Sequence, residues 1–450
     1  MNLLWQVRIY ELTLKNMKNR TVKIVFTFLI LFGISSYAQK TVKKSFDVKR
    51  NEVYIDSMMT NALEKGFFPG AQVIVGSKDA VFISKNYGFQ DYSKKQAVKT
   101  DDVYDLASMS KVLGATLVTM RLVGDDKMKL TDRVGDAVPF FKNTPIADLT
   151  LFELLTHTSG LKASITFYQD MLSTPDGSPL LSDKKSTDYP ELFDAMYVNK
   201  NIIYDANYLS FVPKENWVQI YKNMWLNPEF YKTVYEQIAH ANVNQRGKYV
   251  YSDLNLILVK EMIEAKTGKK LDQLAKEIYT ELGISKIGYN PLKWTSIYNV
   301  MPTEVDNFFR KDTIRGYVHD EAAAIFGGVS GNAGLFANAQ SISVICQMLL
   351  NEGNFQGKQI LKAKVVKEFT QSPLAKGGIY RGLGFDKRKP DEFFKADDFG
   401  HTGFTGTFFF MNPNNNRFLI VLTNRVNPTR TNRLMYKDDF MAKIWRQINK

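Results

Sequence analysis

The amino-acid sequence predicts an α/β (α+β) fold: a single antiparallel sheet built from both ends of the chain and flanked by helices, with a mainly helical part inserted into it. Two observations predict it. Strand-like runs stand near the start, over residues 71–76 and 80–86, and return only near the end, over 404–411 and 417–424. Between them the apolar spacing is largely helical, with no internal repeat and no strand–helix alternation of the doubly wound kind. The sheet part is expected at about 45–105 and 326–450, and the helical part at about 106–325.

In chain order, residues 1–38 read as an address. Lys18, Arg20 and Lys23 precede an apolar run over 24–34, and Ser35, Ser36 and Ala38 then offer small residues at a cut site. This is the pattern of a secretory signal peptide cleaved after Ala38. The run is short for a membrane span; an uncut anchor is the competing reading. The expectation is a secreted or periplasmic protein with no stable membrane anchor, whose mature domain is 39–450. Removing the segment's five basic residues and one acid takes the formal charge from +13 to about +9. A basic surface favours anionic surroundings such as cell wall. No finger, basic zipper or aromatic–basic RNA signature is present, which argues against a nucleic-acid partner. The single cysteine, Cys346, makes no internal disulfide and falls on an amphipathic helix over 342–350.

Residues 50–65 read as a helix stopped by Gly66 and Pro69-Gly70, and Ser77-Lys78-Asp79 joins the first two strands as a hairpin. Residues 162–247 are polar, irregular and rich in aromatics (Tyr204, Tyr208, Trp217, Tyr221, Trp225, Tyr231), the composition of a small packed subdomain. A helix over 433–448 closes the chain.

The chemistry begins at Ser108-Met109-Ser110-Lys111, which opens a segment over 112–123 that is apolar on almost every side. Such a helix is buried. Positions i and i+3 share a face, so the Ser108 hydroxyl and the Lys111 amine can meet. Burial penalises an ammonium, and the positive helix end pushes the same way. The expectation is a lysine of lowered pKa, able to take the serine proton. Spacing alone also fits an N-capping serine and a snorkelling lysine, and Ser159/Lys162 and Ser182/Lys185 repeat it without a long apolar helix behind them.

Two later stretches add to this. Tyr251-Ser252-Asp253 stands just before an apolar helical face over 254–264, where a phenol could pass a proton to a leaving group; a packed aromatic and a helix cap explain the same residues. Gly400-His401-Thr402-Gly403-Phe404 opens a late strand, and glycines there allow a ligand close to the backbone. His401 would offer a donor or a positive charge, although these residues taken by themselves favour a tight turn before an edge strand.

Together these stretches resemble the serine β-lactamase/penicillin-binding-protein superfamily, closest to its class C and esterase-like branch. Its elements S-x-x-K, Y-x-N and K/H-T-G appear in order as Ser108-Met109-Ser110-Lys111, Tyr251-Ser252-Asp253 and His401-Thr402-Gly403. Stretches 155–161 and 327–335 also look like the family, and the resemblance runs from about residue 50 to the end. It implies a β-lactamase/transpeptidase-like fold and an acyl-enzyme formed on Ser108. Lys111 and Tyr251 would share the proton transfers. Backbone N–H groups of Ser108 and Phe404 would form the oxyanion hole. Asp253, His401, Thr402, Gly403 and Phe404 would bind substrate. The G-x-S-x-G elbow is absent, no metal-ligand spacing is found, and no cofactor is implied. His157 reads as a loop tie, and His319-Asp320-Glu321 as a possible lining of the cleft.

The departure is Asp253, where the family usually has asparagine. An ionised aspartate only accepts hydrogen bonds. It would also favour protonated Lys111, shifting the base role towards Tyr251. The expectation is an exported serine hydrolase of carboxypeptidase or esterase type. Its substrate would be a small molecule or peptide: peptidoglycan-type D-amino-acid peptides, small esters or, weakly, β-lactams. A non-hydrolytic sensor or binder of cell-wall peptides is the alternative.

Overall fold

The computed structural model describes residues 46–450; the segment read as an export signal, 1–38, lies outside them. Among the described residues no helix is long and apolar enough to cross a membrane. Helix α1 (Val48–Glu64) leads into β1 (Gly70–Gly76) and β2 (Val81–Gly88). Towards the other end stand β3 (Phe399–Thr402), β4 (Phe408–Asn412) and β5 (Arg417–Thr423). They form one sheet in the order β3-β4-β5-β1-β2, antiparallel throughout. The two ends of the chain meet where Ala71 pairs Thr423 and Gly76 pairs Phe418. Every residue of β1 is buried, as a central strand covered on both faces must be. Helix α2 (Ala339–Leu350), which carries the buried Cys346, packs on β1 and β5. Gln72 of β1 fastens it by accepting the Ala339 N–H at 2.8 Å.

The late strands differ from their expected bounds. Of the strand expected over 404–411 only the part from Phe408 on is extended; 403–407 is a turn, and the third motif lies before it on a separate edge strand, Phe399–Thr402. The final helix is likewise broken, into Leu434–Lys437 and α3 (Phe440–Ile448), at Asp438 and the left-handed Asp439.

The inserted part places the buried segment at its centre. Ala107–Met109 is one 3-10 turn, Lys111–Thr116 a wide π turn, and Leu117–Gly124 an α-helix. Val112, Leu113, Ala115, Leu117, Val118, Met120 and Leu122 are all at most 3% exposed. π turns are uncommon and frequent at functional sites. Here the Leu113 carbonyl is taken up by the Tyr279 hydroxyl at 2.7 Å. Helices Leu151–Thr156 and Asp253–Thr267 pack nearby. The insert is not helical throughout, however. Residues 172–226 form short antiparallel strands in three small sheets, short enough that no alternation marks them in sequence.

Candidate active site

Ser108 sits in a turn held from three sides. Ala107 before it has φ +45°, a conformation L-residues rarely adopt. Asp105 holds it there, its Oδ1 accepting the Ala107 N–H at 2.8 Å and its Oδ2 the His319 N–H at 2.7 Å. From the sheet, Thr405 Oγ1 donates to the Asp105 carbonyl (2.7 Å) and Thr407 Oγ1 to the Leu106 carbonyl (3.1 Å). That approach requires Gly403, since a Cβ there would lie 2.4 Å from the Leu106 oxygen.

The first motif closes as its spacing predicts. Lys111 Nζ donates to Ser108 Oγ at 2.9 Å and to the Asn332 carbonyl at 3.0 Å. The other two serine–lysine spacings do not compete: Ser159 Oγ donates to Asn255 Oδ1 (2.6 Å), and Ser182 Oγ accepts the Lys184 N–H (3.1 Å).

The second motif is tied to the left-handed turn at His157, which ends helix Leu151–Thr156. The Val250 N–H donates to the His157 carbonyl (2.9 Å), and the Ser252 N–H to His157 Nδ1 (3.1 Å). Asn255 Nδ2 reaches the same ring nitrogen at 3.0 Å. With Nδ1 accepting, the imidazole is neutral, and burial, then Arg381 and Lys111, hold it well below its ordinary range. Its ring lies 4.6 Å from that of Tyr251. The loop tie expected of His157 is therefore also a brace for Tyr251. On the Tyr251 ring stand Lys111 Nζ at 5.1 Å and the Arg381 guanidinium at 5.5 Å.

Asp253 does not act as a cap. It is the first residue of its helix, and its Oδ1 lies 2.6 Å from Lys111 Nζ. This reverses the pKa expected for the lysine. Burial does work against the ammonium, but the Asp253 carboxylate, followed by the Tyr251 phenol, outweighs it and raises Lys111 above its ordinary value. Lys111 is an ammonium, and the expectation of a lowered pKa is corrected.

Ser108, Tyr251, Asp253 and Phe404 line one cavity of about 350 Å³, together with His319, Asp320, Glu321 and Arg430. The 319–321 stretch thus faces the cleft. Asp320 Oδ1 accepts at 3.1 Å from Nδ2 of Asn332, the residue whose own carbonyl holds Lys111. Burial, then the charges of Asp253 and Glu321, push Asp320 up to about 6. Glu304 links His319 (2.9 Å) to Arg430 (2.6 Å), and Arg430 also pairs Glu321 at 2.7 Å.

Thr402 and Gly403 line a different cavity, of about 210 Å³. His401 lines neither of the two and is buried behind Tyr251, their ring centroids 6.1 Å apart. Its expected donor or charge is not on offer: Nε2 faces Arg381 Nη2 at 3.0 Å and Nδ1 faces the Thr402 carbonyl at 2.7 Å. Arg381, which no motif marks, is the residue that sequence reasoning missed.

A family profile described as Beta-lactamase matches residues 55–440. The chain belongs to the Beta-lactamase family. It is 27% identical over 406 residues to an N-acetylmuramyl-L-alanine amidase of Bacillus subtilis, covering 82% of this chain and 80% of that one. To a putative D-alanyl-D-alanine carboxypeptidase of Escherichia coli it is 27% identical over 416 residues, 85% of this chain and 84% of the other. Among solved structures, a class C beta lactamase superposes with a TM-score of 0.57 at 15% identity, over 90% of this chain and 99% of that one. This last likeness shows the Beta-lactamase fold.

Proposed function

We propose that the protein is an exported serine hydrolase, with residues 1–38 as its signal peptide and 39–450 as one catalytic domain, acting through an acyl-enzyme on Ser108. One observation carries the reading: the 2.9 Å contact between Lys111 Nζ and Ser108 Oγ at the wall of a cavity that Tyr251 shares. Ser108 attacks a carbonyl carbon. Tyr251 as the phenolate, its negative charge paired with the Lys111 ammonium, takes the hydroxyl proton as Oγ bonds to carbon, and the resulting phenol returns that proton to the leaving group as the tetrahedral intermediate collapses. Water then repeats the sequence to free the enzyme. The backbone N–H groups of Ser108 and Phe404 are the candidate oxyanion donors.

The substrates that fit are peptidoglycan-type peptides, small esters and, slowly, β-lactams. Asp253 removes the amide donor that an asparagine would give a β-lactam's side-chain carbonyl. The names of the relatives, an amidase and a putative carboxypeptidase, support amide-bond chemistry of the cell wall. A binder that is acylated but never released is the second reading, favoured by the Asp253–Lys111 pair, which withholds a neutral amine.

Purified protein incubated with a p-nitrophenyl ester and with a fluorescent penicillin, followed by intact mass, separates the two. A burst followed by steady release supports the hydrolase, and stable labelling without release supports the binder. Retention of either signal in Ser108→Ala refutes both.

A further inference from the structure

The protonation of His401 can be read from its partners. A guanidinium carries donors and no acceptor, so Arg381 must donate and His401 Nε2 must be bare. A carbonyl only accepts, so Nδ1 carries the hydrogen towards Thr402. The imidazole is neutral with both nitrogens occupied. A second proton, on Nε2, would be set against the N–H of Arg381. The surrounding charges agree. Burial first, then Arg381, Lys111 and Arg388, keep His401 well below its ordinary range, and the Thr402 carbonyl, pulling the other way, is outweighed.

The other cations around the site are engaged: Arg425 and Arg433 lie over the Phe404 ring at 4.9 and 5.2 Å, Arg425 donating to the Phe404 carbonyl and Arg433 standing 3.6 Å from Asp194. Lys111 is held by Asp253 at 2.6 Å. Arg381 is 2% exposed and donates to Asp386 Oδ1 and the Gly384 carbonyl, each at 3.2 Å. Arg430, on the cavity wall, is paired with Glu304 and Glu321. Arg388 lines the smaller cavity beside Thr402, which points to the opposite face of β3 from His401, and it rests over the rings of Phe394 (5.0 Å) and Phe410 (5.7 Å). The Thr405 and Thr407 hydroxyls are spent on the Ser108 turn. What faces the main cavity instead is carboxylate: Asp253, Asp320 and Glu321.

We propose that Arg381 fixes His401 as a neutral, fully engaged imidazole and thereby sets the site to acyl compounds whose leaving group carries no carboxylate. Esters, capped peptides and internal amide bonds meet that description; a free C-terminal amino acid does not. The proposal rests on the serine-hydrolase reading and narrows it. The leaving group takes its proton at Tyr251, whose ring has Lys111 Nζ at 5.1 Å and the His401 ring at 6.1 Å. A carboxylate arriving there would be desolvated without a counter-ion and opposed by charges of its own sign.

The test is a matched pair of thioesters of one N-acyl-D-alanine, one with mercaptoacetate as leaving thiol and one with methyl mercaptoacetate. In each the acyl C–S bond breaks as the Ser108 Oγ–C bond forms, and the thiol leaves with the serine proton, read by a thiol reagent. Wild-type kcat/KM at pH 7, each divided by that thioester's rate with hydroxide to remove the difference in thiol acidity, should favour the methyl ester by at least about tenfold, the ratio that about 1.4 kcal/mol of discrimination gives. His401→Gln, whose amide oxygen can still accept from Arg381, should keep that preference. Arg381→Met should lose it, and should gain activity towards the carboxylate thioester as pH falls, because Nε2 of His401 is then free to take a proton and one of the charges opposing that proton is gone.

A wild-type ratio near one, or one favouring the carboxylate, overturns the proposal. So does a folded Arg381→Met with the wild-type ratio and pH profile. Should that variant fail to fold, the wild-type ratio together with His401→Gln decides. Release of thiol from neither thioester would remove the hydrolase reading and this proposal together, a result distinct from turnover of both without preference.

Discussion

Asp253→Asn tests the electrostatic core of the site. At 2.6 Å and an effective dielectric constant of about 20, two unit charges attract by roughly 6 kcal/mol. Burial of Lys111 and the partial exposure of Asp253 cancel much of this, so the net preference for the ammonium is a fraction of it. Even a quarter, about 1.4 kcal/mol, changes the neutral fraction of Lys111 tenfold at any given pH. In the wild type the lysine sits above its ordinary value, so it adds no limb to a pH–rate profile below the alkaline range. In Asp253→Asn burial is opposed by less, the pKa falls, and a limb due to Lys111 should move towards neutral pH. Stopped-flow acylation by a p-nitrophenyl ester from pH 5 to 10 reads that limb directly. The same variant regains an amide donor and should turn over nitrocefin at least severalfold faster, a neutral hydrogen bond being worth about 1 kcal/mol. Superimposable profiles for variant and wild type would refute the claim that Asp253 holds Lys111 protonated.

Tyr251→Phe should lower acylation by about 10²- to 10⁴-fold, the usual contribution of a positioned acid–base group, while circular dichroism stays unchanged; near-normal acylation would remove Tyr251 from the proton path. Asp320 is raised to about 6 in the folded protein. The fold therefore binds more protons than the unfolded chain between its ordinary value and about 6, and stability should fall as pH rises through that window. Asp320→Asn should flatten that slope, measured as Tm at pH 4.5 and 7; an unchanged slope would contradict the assignment. Leu113→Ala, at a site with no exposure, should cost about 2–5 kcal/mol in urea unfolding, and a loss below 1 kcal/mol would mean the buried segment is loosely packed.

What the sequence made legible was local, or depended only on order along the chain. Ser108 and Lys111 meet because three residues apart on a helical turn is geometry, and the sheet from both ends follows from strand-like runs that occur only there. The pKa of Lys111 could not be settled from its own helix, because the deciding charge is on Asp253, more than a hundred residues away; the asparagine-to-aspartate departure was its one visible sign. Arg381 left no sign at all. Its role comes from folding back onto His401 and Tyr251, and a lone arginine before Gly382 has no periodicity or motif. The strands within 172–226 escaped notice for a different reason. At two to four residues each, they are held by cross-strand partners and not by any pattern of their own.

The pairing of β1 with β5 also fixes when the molecule can become whole. As the chain is synthesised, the hairpin of β1 and β2 is finished by residue 88, yet the other edge of β1 has no strand to join it until Arg417–Thr423 has emerged. For more than three hundred residues of elongation, a seven-residue apolar strand keeps a row of unpaired amides and carbonyls open to any neighbouring chain. Serine, lysine and tyrosine are all made well before that moment, but the turn that presents the serine is braced by Thr405 and Thr407. A nascent chain therefore carries its nucleophile long before it can use it, and reactivity arrives with the last few dozen residues.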